Sequence, residues 1–419
     1  MLIPYKTESG VKFFVDNQSM TLYKGDGTSP LFSSSVPTNP ELEGRFNSVT
    51  KSNKPETLRV SLGQACNYSC SYCSQKDLGD PTERPPRLAS MTFVDSLQRN
   101  LDITGLKKIE LWGGETLLYW NDIVNIIDNL DREDLTWYLP TNGTPLMMKH
   151  VEYLSGIKGR VGIGISHDGP GHERLRGKEF LYKKVDVLRA MQETKGKVQF
   201  GFNPVISSTN YDLMWMNTFF RSFLDVAGLD PVSMNFELCR AYGEQGSSTN
   251  VIKDGDLPLY RESLRKFLDA HLKQFKEKGY TRSGEMLMTN LFHTGLGVIP
   301  LAQSFKEETT PITKTNCGVD DSKLISLELD GSVKVCQNTD SRYIKGNIDK
   351  IDDVVMTGVK YRVDGDCNSC PVVRLCKGSC PIDTGDQNFL MNHNVELVHY
   401  GEILEAALRL LFSSEVSRV

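Results

Sequence analysis

Cys66, Cys70 and Cys73 fall within a single stretch of eight residues, CNYSCSYC, and thiols placed that densely form a natural ligand set. A loop of this kind can fold around one inorganic cluster, and iron-sulfur centres usually take four thiolates. With only three supplied locally, one iron would stay open. An open iron is of no use for plain electron transfer and of value where a substrate or cofactor must bind it. Zinc is the other metal to weigh: structural zinc takes four protein ligands and catalytic zinc three plus water, often with histidine, and no histidine lies near this stretch. Six further cysteines, Cys317, Cys336, Cys367, Cys370, Cys376 and Cys380, gather in the last quarter of the chain, where the CxxC pair is again shared with many zinc sites. Cys239 stands alone and reads either as a buried hydrophobe or as one more cluster ligand.

The elements that must position these thiols are legible as a pattern. The chain has 419 residues, and at roughly 150 residues per domain this implies two or three domains. Its 39% hydrophobic content is enough for a sizeable core. A formal charge of -5 leaves no electrostatic footprint for general nucleic-acid binding. The start, MLIPYKTESG, lacks a basic segment followed by an apolar run, and no stretch of about 18 apolar residues occurs, so a cytoplasmic chain with no membrane partner is expected. In such a reducing compartment clustered cysteines serve as metal ligands or catalytic groups more often than as disulfides.

From Leu58 onward, apolar β-rich runs alternate with segments of helical period, the mark of βα units and a parallel sheet or barrel. The runs begin at Leu58, Lys107, Leu135, Val161, Val198 and Val232, and several end in Gly, Asn or Asp, which form turns and permit close backbone approach. Upstream, VKFFVD and MTLYKG, joined by Asn17, Gln18 and Ser19, predict a hairpin, followed by a looser stretch from Ser33 to Pro40. The segment from Pro258 to Gly279 carries Leu264, Phe267, Leu268 and Leu272 on one helical face and is expected to cover the barrel from outside.

CNYSCSYC resembles the CxxxCxΦC signature of the radical S-adenosylmethionine (SAM) family, with Tyr72 in the aromatic place. The resemblance implies an α/β fold, a partial (β/α)6 TIM-like barrel, and a 4Fe-4S cluster on Cys66, Cys70 and Cys73. The cluster's open iron would chelate SAM, and reductive cleavage would give a 5'-deoxyadenosyl radical that abstracts hydrogen. GGET at Gly113 to Thr116 resembles the family's GGEP element; Gly113 and Gly114 would permit close approach and Glu115 would help hold the SAM amino group. TNG at Thr141 and SHDGP at Ser166 resemble the third- and fourth-strand elements, which makes Ser166 a candidate ribose contact and Asn203 a second polar contact. No role is assigned to His172 or Arg176 in HERLRG.

The last cysteines resemble the SPASM domain, a C-terminal extension of radical SAM enzymes that mature peptides and proteins. That resemblance implies two auxiliary 4Fe-4S clusters bound in crossed fashion, one by Cys317, Cys336 and Cys380 and the other by Cys367, Cys370 and Cys376. It divides the chain into a β-hairpin segment (1–52), the partial barrel (53–300) and a SPASM domain with a C-terminal helix (301–419). Two departures stand out. No cysteine follows Cys380, and His399 sits near the expected position of the missing ligand, with His393 and Asp383 as alternatives, imidazole being a known cluster ligand. Upstream of Cys317 some members have a further cysteine where this chain has Pro311, which would leave the other auxiliary cluster an open iron. In anaerobic sulfatase-maturating enzymes an Asp following the second cysteine of that cluster acts as base; Gln337 stands there and cannot take a proton. The expectation is therefore a maturase of a ribosomally made precursor peptide, fed electrons by a flavodoxin- or ferredoxin-like donor. A sulfatase-type maturase and a small-molecule dehydrogenase or epimerase are the alternatives. The N-terminal segment is expected to be too short for a winged-helix peptide-recognition domain.

Overall fold

The computed structural model describes residues 2–16, 22–27, 48–76, 78, 82, 89–241, 250–279, 286–291, 294, 315–356, 367, 370–380, 382 and 386–419, without the side chains of 374 and 386–389. The hairpin joint Asn17 to Ser19, the stretch from Ser33 to Pro40, Pro311 and Asp383 lie outside the described residues.

All six apolar runs form strands. They are β1 (Thr57–Ser61), β2 (Lys108–Trp112), β3 (Thr136–Thr141), β4 (Arg160–Ile165), β5 (Val198–Phe202) and β6 (Ser233–Met234). Each pairs in parallel with the next in the order of the chain. Helices α1 (Ala89–Asn100), α2 (Trp120–Leu130), α3 (Met148–Gly156), α4 (Val185–Glu193), α5 (Leu213–Ala227) and α6 (Leu257–Lys278) follow the six strands in turn. Parallel neighbours require such crossovers, and the result is a partial TIM-like barrel. On α6 the predicted stripe of Leu264, Phe267, Leu268 and Leu272 is buried.

Successive strand residues point to opposite faces, and here the faces differ in chemistry. Leu58, Ile109, Trp137, Val161 and Val198 belong to the main apolar core. The next row, Arg59, Glu110, Tyr138 and Gly162, is matched strand to strand. It is polar, with Arg59 and Lys108 paired to Glu110 at 2.8 and 2.7 Å. A fully packed parallel sheet is apolar on both sides, so a charged inner row marks a barrel interior given over to something other than packing.

The C-terminal region is built into the same sheet. Strand β7 (Leu324–Glu328) lies parallel to β1, and β8 (Ser332–Lys334) and β9 (Ile344–Asn347) continue antiparallel, so the sheet runs to nine strands. Helix α7 (Asp386–Phe412) packs along α6. At the start of the chain, Lys12–Asp16 pairs with Leu22–Lys24 as predicted. Leu2–Thr7 joins them, and its other edge takes Val416–Arg418 from the far end of the chain. Ile3, Tyr5, Phe13 and Val15 form a second core with Leu404, Ala407 and Leu408 of α7. No helix among the described residues is long and apolar enough to cross a membrane.

One buried cation fastens the barrel to the segment after Cys317. Lys51, 2% exposed, donates to the carbonyls of Val319 (2.6 Å) and Asp321 (2.7 Å), and burial lowers its pKa to about 8. Lys51→Met should cost the apoprotein about 2 kcal/mol in urea melts, because it orphans both carbonyls. The folded pKa lies below the unfolded one, so between pH 8 and 10.5 the unfolded chain binds the extra proton. The wild type should therefore gain stability relative to Lys51→Met as pH rises through that window.

Candidate active site

The cysteine loop is clamped at its base by backbone hydrogen bonds and the Tyr119 hydroxyl. After β1 the chain turns at Gly63, where a Cβ would lie 2.7 Å from the Tyr119 hydroxyl. That hydroxyl accepts from the Ala65 N–H at 2.6 Å. Gly114 N donates to Gly63 O (2.9 Å) and Glu115 N to Ala65 O (2.8 Å), so the GGE turn is zipped onto the segment leading to Cys66. A Cβ at Gly114 would lie 2.3 Å from the Gln64 carbonyl oxygen, which makes glycine obligatory there. The close approach expected of this glycine is thus made, in this structure, to the root of the cysteine loop.

Glu115 is 2% exposed and accepts from Leu117 N (2.9 Å), Thr141 Oγ1 (2.6 Å) and Asn142 N (2.6 Å). Burial raises its pKa while these donors pull the other way. The carboxylate ties the ends of β2 and β3 together, and only Oε2 keeps an acceptor position for a ligand amine. Asn142 then reaches the cysteine loop, donating to Asn67 Oδ1 at 2.7 Å.

The other side of the loop rests on a carboxylate that carried no assignment. Asp168 is 0% exposed. Its Oδ2 accepts from the Tyr72 hydroxyl (2.5 Å) and Arg176 Nε (2.9 Å), and its Oδ1 from Val205 N (2.9 Å). The Arg176 guanidinium also sits 5.2 Å from the Tyr72 ring centroid. Tyr72 is therefore both packing and tether, and Arg176, given no role above, is part of the support. The signal for Asp168 was its place in the turn closing a buried strand; nothing in sequence marked Arg176 as its partner.

These clamps open the loop onto a cavity of about 570 Å³, within the usual size of cofactor sites. Cys66, Cys70 and Cys73 border it, as do Glu115 and Ser166. Burial pushes the Cys70 thiol up to about 12 despite the pull of Arg176, so a bound metal rather than the protein alone would hold the thiolate. Cys66 Sγ receives an N–H from Tyr68 at 3.4 Å, a donor that suits a metal-bound sulfur. Among the described residues no three of His, Cys, Asp and Glu converge on a single-ion position. Asn203 is not brought into this cavity: its amide donates to the Tyr138 hydroxyl (2.9 Å) and accepts from Asn235 (3.2 Å). Glu237, Cys239 and Arg240, in the continuation of β6, also border the cavity.

Arg240 joins this cavity to the C-terminal cysteines. Its guanidinium pairs with Glu396 and donates to Ser379 Oγ at 3.1 Å. Cys367, Cys370 and Cys376 border one small space with Ser379, His393 and Glu396. Backbone N–H groups point at these sulfurs too: Ser379 N lies 3.2 Å from Cys376 Sγ, and Val372 and Val373 donate to Cys370. Lys377 and Ser379 hold φ of 56° and 68° around Gly378 at 85°, a left-handed run that costs each non-glycine residue about 1 kcal/mol and recurs at ligand clamps. Cys336 Sγ receives Asn338 N at 3.4 Å, and Gln75 of the first loop donates to Asn338 Oδ1 at 3.0 Å. Asn316 donates to the carbonyls of Leu375 (3.0 Å) and Cys376 (3.3 Å), which sets Cys317 beside the second group. Cys380 closes that same loop.

His399 is a correction. Its Nδ1 is 2.5 Å from the Tyr260 hydroxyl on α6, burial drives its pKa to about 3, and it does not border the cysteine space. The reason is helical phase. At about 100° per residue His399 is turned roughly 120° away from His393 and 60° from Glu396, which carries it past the cysteine space and onto Tyr260 of α6.

Residues 60–213 match the family model of the radical SAM superfamily and form a radical SAM domain, followed by a C-terminal extension. A radical SAM cyclopropyl synthase, TigE, of Paramaledivibacter caminithermalis is 23% identical over 40% of this chain, which spans 39% of TigE's length. The structure of native anSMEcpe with bound AdoMet and Cp18Cys peptide superposes with a TM-score of 0.61 at 20% identity, over 85% of this chain and 98% of that one. Streptococcus suis SuiB bound to precursor peptide SuiA gives 0.52 at 16% identity, over 78% and 72%. These likenesses bear on the fold.

Asp168→Asn removes the charge that balances a buried Arg176 and should destabilise the apoprotein by about 3 kcal/mol, whereas Tyr72→Phe, which deletes one hydrogen bond, should cost about 1–2 kcal/mol. Urea melts of both variants test that order.

Proposed function

We propose that this radical SAM enzyme modifies a ribosomally made precursor peptide, abstracting hydrogen from one residue to give a crosslink or an oxidised side chain. The observation that carries the reading is a shared residue: Arg240 borders the same cavity as Cys66, Cys70 and Cys73, and it pairs with Glu396, which borders the space of Cys367, Cys370 and Cys376. When bound, the iron-sulfur cluster on the first trio supplies the electron that cleaves SAM to a hydrogen-abstracting radical.

This chain's residues do the rest by holding and excluding. The zipped turn at Gly114 and the carboxylate of Asp168 fix the loop whose three cysteines border the cavity and would hold the cluster. Glu115 Oε2 is placed to accept from the SAM amine, and Ser166 borders the space where a ribose would lie. Two auxiliary clusters, on Cys317, Cys336 and Cys380 and on Cys367, Cys370 and Cys376, would take up the electron left on the substrate. The first would keep an iron able to bind the substrate itself. A flavodoxin- or ferredoxin-like donor would reduce the first cluster. Gln337 favours this reading over formylglycine formation: its amide Oε1 accepts from the Cys336 thiol at 3.3 Å and cannot serve as a base.

The test is anaerobic incubation of reconstituted protein with SAM, a reductant and the peptide encoded by any short reading frame found beside the gene. The expected result is 5'-deoxyadenosine formed in step with a peptide two hydrogens lighter, both lost in Cys70→Ala. Deoxyadenosine without any change in peptide would move the reading to a small-molecule substrate. None at all, with the cluster intact, would end it.

A further inference from the structure

Three cysteines, Cys367, Cys370 and Cys376, leave a four-ligand centre one protein ligand short, and Cys380, the last cysteine in the chain, is given to the other centre in the function proposed above, on which this inference rests. Three non-sulfur donors border the same space: Ser379, His393 and Glu396. The Ser379 hydroxyl accepts from Arg240. Glu396 is fixed from two sides. Oε1 is ion-paired with Arg240, and Oε2 takes a hydrogen bond from Cys376 Sγ at 3.3 Å. The residue is 2% exposed.

That contact changes character once Cys376 gives up its proton to a metal. Thiolate and carboxylate would then be two anions in van der Waals contact in a buried site, an arrangement that costs several kcal/mol unless a cation lies between them. Arg240 balances only one of the two charges. Iron balances the other, and a carboxylate whose second oxygen is held by a guanidinium is the usual form of an oriented metal ligand.

We propose that Glu396 supplies the fourth protein ligand, through Oε2, to the iron-sulfur centre of Cys367, Cys370 and Cys376. Arg240 is its positioning residue, and because Arg240 also borders the main cavity, the ligand lies one side chain away from the reacting groups.

The test uses the full chain with Cys66, Cys70 and Cys73 replaced by Ala, so that only the C-terminal centres hold iron after anaerobic reconstitution. Iron content and the EPR and Mössbauer spectra are read. Glu396→Ala should lose about one iron per chain and show a three-iron signal when oxidised, and Glu396→Cys should restore the iron with a shifted spectrum. Unchanged iron and spectra in Glu396→Ala overturn the proposal, as does the same loss in His393→Ala with Glu396→Ala intact. If Glu396→Ala fails to fold, Glu396→Gln keeps its shape and should show the loss; a native spectrum there overturns the proposal. Cys376→Ala separates the levels. If it removes no iron, the auxiliary reading falls together with the proposal; if it removes iron that Glu396→Ala retains, the ligand assignment alone falls.

Discussion

A carboxylate with no access to water, Asp168, holds three parts of the molecule at one point. It takes the hydroxyl of Tyr72 from the cysteine loop, the guanidinium of Arg176 from the turn after β4, and the N–H of Val205 from the end of β5. Removing any one partner leaves a buried charge or donor uncompensated, so the three arrive together or the site is not built. With the backbone zipper at Gly114 on the opposite side, this leaves the three thiols little freedom except to face the cavity. A cluster with one open iron needs that: ligands fixed from behind and space in front.

The barrel interior follows from the same need. Its outer face is apolar and packs on helices, while the matched row of Arg59, Glu110 and Tyr138 turns charge and hydroxyl inward. Such a row is costly unless its members pair, and they do. The interior thus stays polar and open toward the strand ends, where barrels of this kind gather their chemistry. Arg240 extends the arrangement outward, since it belongs to the cavity wall and to the surroundings of the second cysteine group at once.

Much of this was legible before any coordinates. Apolar β-rich runs, several ending in turn formers, located all six strands, and the spacing of Cys66, Cys70 and Cys73 located the loop, because local pattern dictates local geometry. What sequence could not carry was pairing across the fold. Nothing in HERLRG says that Arg176 meets Asp168, and nothing near either end of the chain says that Leu2–Thr7 takes Val416–Arg418 as its neighbour. His399 shows the same limit in another form. Counting residues put it at the right distance from Cys380, but a helix presents residues by angle, and the angle gave that face to Tyr260. Glu396, one turn earlier and bordering the cysteine space, bears no mark in sequence, because a glutamate in a helix reads the same whether it is a ligand or a solvated charge.

SAM binding at the cluster of Cys66, Cys70 and Cys73 is the step on which all the others depend. EPR of the reduced, anaerobically reconstituted protein, recorded with and without SAM, measures this. The predicted result is a spectrum that changes on adding SAM, with the change absent when these three cysteines are replaced by Ala. A reduced cluster on these cysteines whose spectrum is indifferent to saturating SAM would contradict the account.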